Sequence, residues 1–116
     1  MDSLVKIIQP SGILDSKKSQ EFRAKIAEIL KTEVKIVLVD LQDVTFMDSS
    51  GLGALVLAFK TLQAAEKKLV ICSINEQIKI LFELTGMDQI FEIFPNQDEF
   101  QKAVVSNQKQ IFDRGQ

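Results

Sequence analysis

Apolar positions fall alternately into short runs and helical stripes along the chain. Leu4-Val5-Lys6-Ile7-Ile8 is an apolar-rich run halted near Pro10, and it predicts a first strand. Ser11-Gly12 reads as a turn and Ile13-Leu14 as a short second strand. Asp15 or Ser16 then caps a helix whose apolar residues Phe22, Ile26, Ile29 and Leu30 follow i, i+4, i+7, i+8 spacing. Val34–Leu41 is rich in Val, Ile and Leu, as in a strand buried on both faces. A second helix is predicted from about Ser50 to about Glu66, with Leu52, Leu55, Val56, Phe59 and Leu62 as its stripe. Lys68–Ile74 is another buried strand.

Ser73-Ile74-Asn75-Glu76 fits a capping box, with Ser73 and Glu76 as the reciprocal pair. Ile78, Leu81 and Phe82 mark the third helix, and Gly86 is suited to stop it. Ile90–Phe94 reads as the last strand, and Asn96-Gln97-Asp98-Glu99 opens a fourth helix carrying Phe100, Ala103 and Val104. From about residue 107 the chain is a polar tail. The order β-β-α-β-α-β-α-β-α implies a single α/β domain over residues 1–116. Its sheet of about five strands is mixed but mostly parallel, because strands separated by helices need crossovers. The first two strands are expected to pair antiparallel, and there are about four helices.

Composition narrows the function. Of 116 residues, 46% are hydrophobic and 26% charged, enough for both a core and a solvated surface. The formal charge is −2, and the short basic pairs Lys17-Lys18 and Lys67-Lys68 make no concentrated cationic face, which argues against nucleic acid as a partner. Histidine is absent, so Ser-His-Asp and Cys-His catalysis and most zinc sites are excluded as usually built. The single cysteine, Cys72, sits in the apolar run Leu69-Val70-Ile71-Cys72 and reads as a buried structural thiol. No apolar stretch reaches the roughly 18 residues of a membrane span, and Met1-Asp2-Ser3-Leu4 lacks the features of a signal peptide. These observations lead us to expect a cytoplasmic protein without a metal or cofactor.

One segment exceeds what structure alone requires. In Met47-Asp48-Ser49-Ser50-Gly51-Leu52-Gly53 the second helix opens with two glycines in its first turn, each costing roughly 1 kcal/mol against Ala in a helix interior. Asp48, Ser49 and Ser50 crowd a position where one cap suffices. Four readings stand open. The glycines pack against a neighbouring strand behind an ordinary cap; or Gly51–Gly53 cradles a nucleotide phosphate, though no Lys follows and Asp48 would repel it. A serine is a nucleophile, though no base is in view; or a serine at the helix entrance is a regulatory site.

Val44-Thr45-Phe46-Met47-Asp48-Ser49-Ser50-Gly51-Leu52-Gly53 resembles the signature of the anti-sigma factor antagonists, stand-alone bacterial members of the STAS family. The resemblance extends to Gly12-Ile13-Leu14-Asp15, to Val37–Leu41 and to Leu84-Thr85-Gly86-Met87 through Ile93, nearly the whole chain. It implies a STAS-type fold and a non-enzymatic partner switch. The serine directly after the aspartate, Ser49 here, is the phosphoacceptor in that family, so Ser50 is left to cap or pack. The implied partners are a serine kinase/anti-sigma factor of the histidine-kinase-like ATPase fold, using ATP and magnesium, and a metal-dependent serine phosphatase. The unphosphorylated domain binds the kinase and releases what the kinase held, often a sigma factor. Leu14, Asp15, Met47, Asp48, Ser49, Ser50, Gly51, Leu52 and Gly53 are the expected partner-binding and switch residues on a monomer. Phe46 is expected in the core by its strand-end setting, and Asp15 reads equally well as a helix cap.

Overall fold

The computed structural model describes residues 4–114, and side-chain surroundings through Ser106. Six strands and four helices follow in the order β1 (Val5–Ile8), β2 (Gly12–Leu14), α1 (Ser16–Ile29), β3 (Ile36–Asp40), β4 (Val44–Met47), α2 (Ser49–Ala64), β5 (Lys68–Cys72), α3 (Glu76–Thr85), β6 (Glu92–Phe94) and α4 (Gln97–Arg114). Met87–Gln89 form a single 3-10 turn before β6.

β1, β3, β5 and β6 make a parallel four-stranded sheet in the order β1-β3-β5-β6, with β3 and β5 central. β2 and β4 form a separate parallel ribbon. The antiparallel pairing expected for the first two strands therefore does not occur. Gln9-Pro10-Ser11 lacks the glycine-rich two-residue chemistry of a tight hairpin. Instead Gly12, at φ +76°, donates its N–H to the Asp43 carbonyl at 2.9 Å and steers β2 alongside β4.

Alternation along the central strands feeds two cores. Val37 and Val39 of β3, with Leu69 and Ile71 of β5, face α1, α2 and α3, where Phe22, Ile26, Leu55, Leu62, Ile78 and Phe82 are buried. Leu38, Val70 and Cys72 face the other way, onto Phe100 of α4. Phe91 packs against Phe82 and Phe59 at ring distances of 5.3 and 5.8 Å, and Phe94 meets Phe100 edge-on at 5.7 Å. Helices thus cover both faces, as a parallel sheet requires.

The caps depart from the sequence reading in one place. Asp15 caps α1 through the Lys18 N–H at 3.1 Å, and Asn96 accepts from Glu99 N at 2.9 Å, where expected. Gly86 ends α3 in the left-handed region at φ 77°. Ser73 does not cap α3. It lies at φ 65°, just past the end of β5, and Asn75 takes the role by accepting from Ile78 N at 2.9 Å. The last strand is also shorter than expected, because Met87–Gln89 coil and leave Ile90 exposed before β6 begins at Glu92. Helix α4 continues past the position where the sequence reading placed a polar tail. Among the described residues, no helix is long and apolar enough to cross a membrane.

Candidate functional site

The signature segment spans the joint between β4 and α2. Helix α2 begins at Ser49, one residue earlier than its stripe suggested, because Asp48 is the N-cap. The Asp48 carboxylate accepts the Gly51 N–H at 3.0 Å. The same arrangement occurs next door, where β2 ends and Asp15 caps α1. Two parallel strands therefore deliver two aspartate-capped helix starts side by side. The buried Ser19 hydroxyl of α1 donates to the Ser50 carbonyl at 3.2 Å and ties the two starts together.

The two glycines serve different ends. A Cβ on Gly51 would lie 2.4 Å from the Leu14 carbonyl oxygen and 2.9 Å from the Leu14 Cγ, so Gly51 lets α2 lie directly on β2. A Cβ on Gly53 would meet nothing within 4 Å, so Gly53 keeps exposed surface low. This division disfavours the phosphate-cradle reading. The space over Gly51 is filled by Leu14, and its amide is already held by Asp48.

Ser49 is exposed, while Asp48, Ser50 and Leu52 are partly covered. Leu14 and Met47, expected at the partner surface, are fully buried at 0% and 1% exposure and form its floor. Phe46, expected in the core, is 46% exposed. It sits in register with Ile13 of β2, which is 53% exposed. The two make an apolar pair on the ribbon that runs into the capped helix starts. The sequence hides this because β4 reads buried, exposed, exposed, buried and so breaks strict alternation, and the β2–β4 register slips between Gly12 and Ile13.

Helix α3 was expected, but not its contact with this joint. Asn75 Nδ2 donates to the carbonyls of Val44 and Thr45 at 3.2 and 3.1 Å. Gln77 accepts from Met47 N at 2.9 Å and donates to Met47 O at 3.0 Å. Only the amide residue types hinted at this, since no periodicity marks such contacts.

Away from this joint, Asp40 is buried and accepts from Gln42 N at 3.0 Å and from Gln97 Nε2 at 2.6 Å, joining the end of β3 to the start of α4. Burial raises the Cys72 thiol above its ordinary pKa, and nearby Asp40 adds to this, while a hydrogen bond with the Ser73 side chain opposes it. Cys72 is the buried structural thiol expected from its setting. No metal-ligating cluster of three or more residues occurs among the described residues.

The STAS domain family model matches residues 2–100, and the chain belongs to that family. Among curated relatives, the anti-sigma-B factor antagonist of Listeria monocytogenes is 42% identical over 67 residues, 57% of this chain and 59% of that protein. The match thus spans about six tenths of that relative's length. The anti-sigma F factor antagonist of Paenibacillus polymyxa is 29% identical over 80% of both chains. Among solved structures, the anti-sigma factor antagonist SpoIIAA in its unphosphorylated form superposes with a TM-score of 0.74 at 20% identity, covering 87% of this chain and 89% of that one. The last match bears on the fold.

Proposed function

We propose that this chain is an anti-sigma factor antagonist that works as a partner switch, with Ser49 as its phosphoacceptor. The observation that carries the reading is the placement of Ser49. It is the exposed first residue of α2, directly after the Asp48 cap, one turn before Gly53 and at the end of the ribbon that carries the Ile13–Phe46 pair. The names of the relatives support the general role.

In this reading the unphosphorylated protein binds a serine kinase of the histidine-kinase-like ATPase fold through the ribbon and the start of α2, and the kinase releases its target. The kinase then transfers phosphate to Ser49. The hydroxyl oxygen forms the new bond to the γ-phosphorus of ATP, the bond to the bridging oxygen breaks, ADP leaves, and the hydroxyl proton passes to a base of the kinase. A metal-dependent phosphatase resets the switch. The chain itself turns nothing over and acts in the cytoplasm as a monomer.

Phosphate changes binding by local charge and bulk. It adds about −1.5 to −2 charges at neutral pH. Free first-turn amides of α2 favour an anion there. The Gly51 amide is not free, being held by Asp48, whose negative charge opposes the phosphate. The domain therefore tolerates the group, while a partner burying the same surface has to desolvate it. A loss of ~3 kcal/mol lowers affinity roughly a hundredfold, enough to exchange partners.

The test is phosphopeptide mapping after treatment with kinase and ATP, with binding measured before and after. Modification at Ser49, weaker kinase binding by the modified protein and an unchanged circular dichroism spectrum are expected. Ser49→Asp should weaken binding in part, and Ser49→Ala should bind and never be released. Modification confined to Ser50, or equal binding by both forms, would overturn the proposal.

A further inference from the structure

Met47 ends β4 one residue before the Asp48 cap and two before Ser49. The peptide joining Met47 to Asp48 is held from both sides. Its carbonyl accepts from Gln77 Nε2 at 3.0 Å, and its N–H approaches the Leu14 carbonyl of β2 at 3.4 Å. The Met47 N–H also goes to Gln77, at 2.9 Å to Oε1. The side-chain amide of Gln77 thus stands in for the peptide of a neighbouring strand, offering one donor and one acceptor. Gln77 itself is anchored, because it lies in the first turn of α3, where Asn75 caps the helix and grips Val44 and Thr45. Both of its side-chain hydrogen bonds go to Met47, which places its effect on the platform under Ser49.

We propose that Gln77 is a positioning residue for phosphoryl transfer to Ser49, fixing the Met47–Asp48 peptide so that α2 starts, and the Ser49 hydroxyl is presented, in one place. The inference rests on Ser49 being the phosphoacceptor. In-line attack on a γ-phosphoryl group depends on where the nucleophile sits, and a misplacement of ~1 Å costs on the order of a hundredfold in rate. Without the amide, the Met47–Asp48 peptide keeps only its longer contact to Leu14. Both side-chain bonds of Gln77 stay within the domain, so its loss should appear in kcat and not in KM.

The experiment follows transfer from labelled ATP by a purified serine kinase to wild-type protein and to the Gln77→Leu, Gln77→Glu and Thr85→Val proteins. Thr85→Val is the control. It removes a side-chain bond to the Leu81 and Phe82 carbonyls at the far end of the same helix. Gln77→Leu is expected to lower kcat about tenfold or more, with KM within about threefold of wild type. Thr85→Val is expected to leave both unchanged. Gln77→Glu keeps the acceptor for Met47 N–H but sets a carboxylate against the Met47 carbonyl, and protonation restores a donor. Its rate relative to wild type should therefore rise as pH falls from about 7 to about 5. A Gln77→Leu rate equal to wild type, a change in KM alone, or an equal loss in Thr85→Val would overturn the positioning role and leave the Ser49 reading standing. If Gln77→Leu does not fold, the pH dependence of Gln77→Glu decides, and a flat ratio overturns the role. Wild-type protein that takes no phosphate at Ser49 would overturn both.

Discussion

Replacing Gly51 by Ala tests the contact on which the candidate site is built. The added Cβ would stand 2.4 Å from the Leu14 carbonyl oxygen, and ordinary contacts begin near 3.4 Å, so β2 and α2 would have to part by about 1 Å. The obstacle is backbone and cannot swing aside. The methyl would also meet Leu14 Cγ at 2.9 Å and Met47 Cγ at 3.0 Å, both in the buried floor. Overpacking of this kind costs about 1–3 kcal/mol and occasionally more. Alanine returns at most ~1 kcal/mol of helix propensity, less in a first turn. Gly53→Ala is the internal reference, since its Cβ meets nothing within 4 Å and it gains only the propensity, about 0.4–1 kcal/mol. Urea unfolding should therefore separate the two proteins by about 1–3 kcal/mol, with Gly51→Ala the less stable and the slopes unchanged. If Gly51→Ala is as stable as Gly53→Ala, the close packing of α2 on β2 is wrong, and with it the floor beneath Ser49.

Asp15→Ala and Asp48→Ala each remove a helix cap and should cost about 0.5–2 kcal/mol in thermal melting; no loss at either would refute that cap. Cys72 should react with a thiol reagent only as fast as the protein unfolds, and rapid labelling of native protein would contradict its burial. Because burial raises its folded pKa, the unfolded thiol releases its proton first. Cys72 thus favours folding below about pH 9.0, and that contribution shrinks as pH rises further, which alkaline unfolding of Cys72→Ala against wild type would reveal.

Long, strongly periodic segments were legible in the sequence. The stripe of α1 and the continuous apolar runs of β3 and β5 announce themselves, since each buries a whole face. The signature also located the joint between β4 and α2. What stayed hidden follows from contacts that leave no periodic trace. β4 has four residues and two consecutive exposed positions, so no alternation identified it as a strand, and Phe46 looked like core. Ser73 and Asn75 both suit a cap, and the left-handed turn at Ser73, set by how β5 ends, decided for Asn75. The strand partners were misjudged because proximity in sequence favoured β1 with β2, whereas the buried faces of β3 demanded β1 as a neighbour. Gln77 was invisible as a site residue because its role depends on a strand thirty residues away.

The amides of Asn75 and Gln77 have a further consequence, for how this protein coexists with copies of itself. A short ribbon carrying Ile13 and Phe46 on its surface is the kind of element onto which a strand from another molecule readily adds, and such additions propagate into aggregates. The β4 edge is a poor template of this kind. The Met47 N–H and the carbonyls of Val44, Thr45 and Met47 are already occupied, by side chains that end the ladder because they carry no strand behind them. Apolar contact at this surface is thus separated from backbone pairing. What the ribbon offers another chain is its side chains, where shape and charge select the partner, while the less selective chemistry of the peptide backbone is largely taken up along β4.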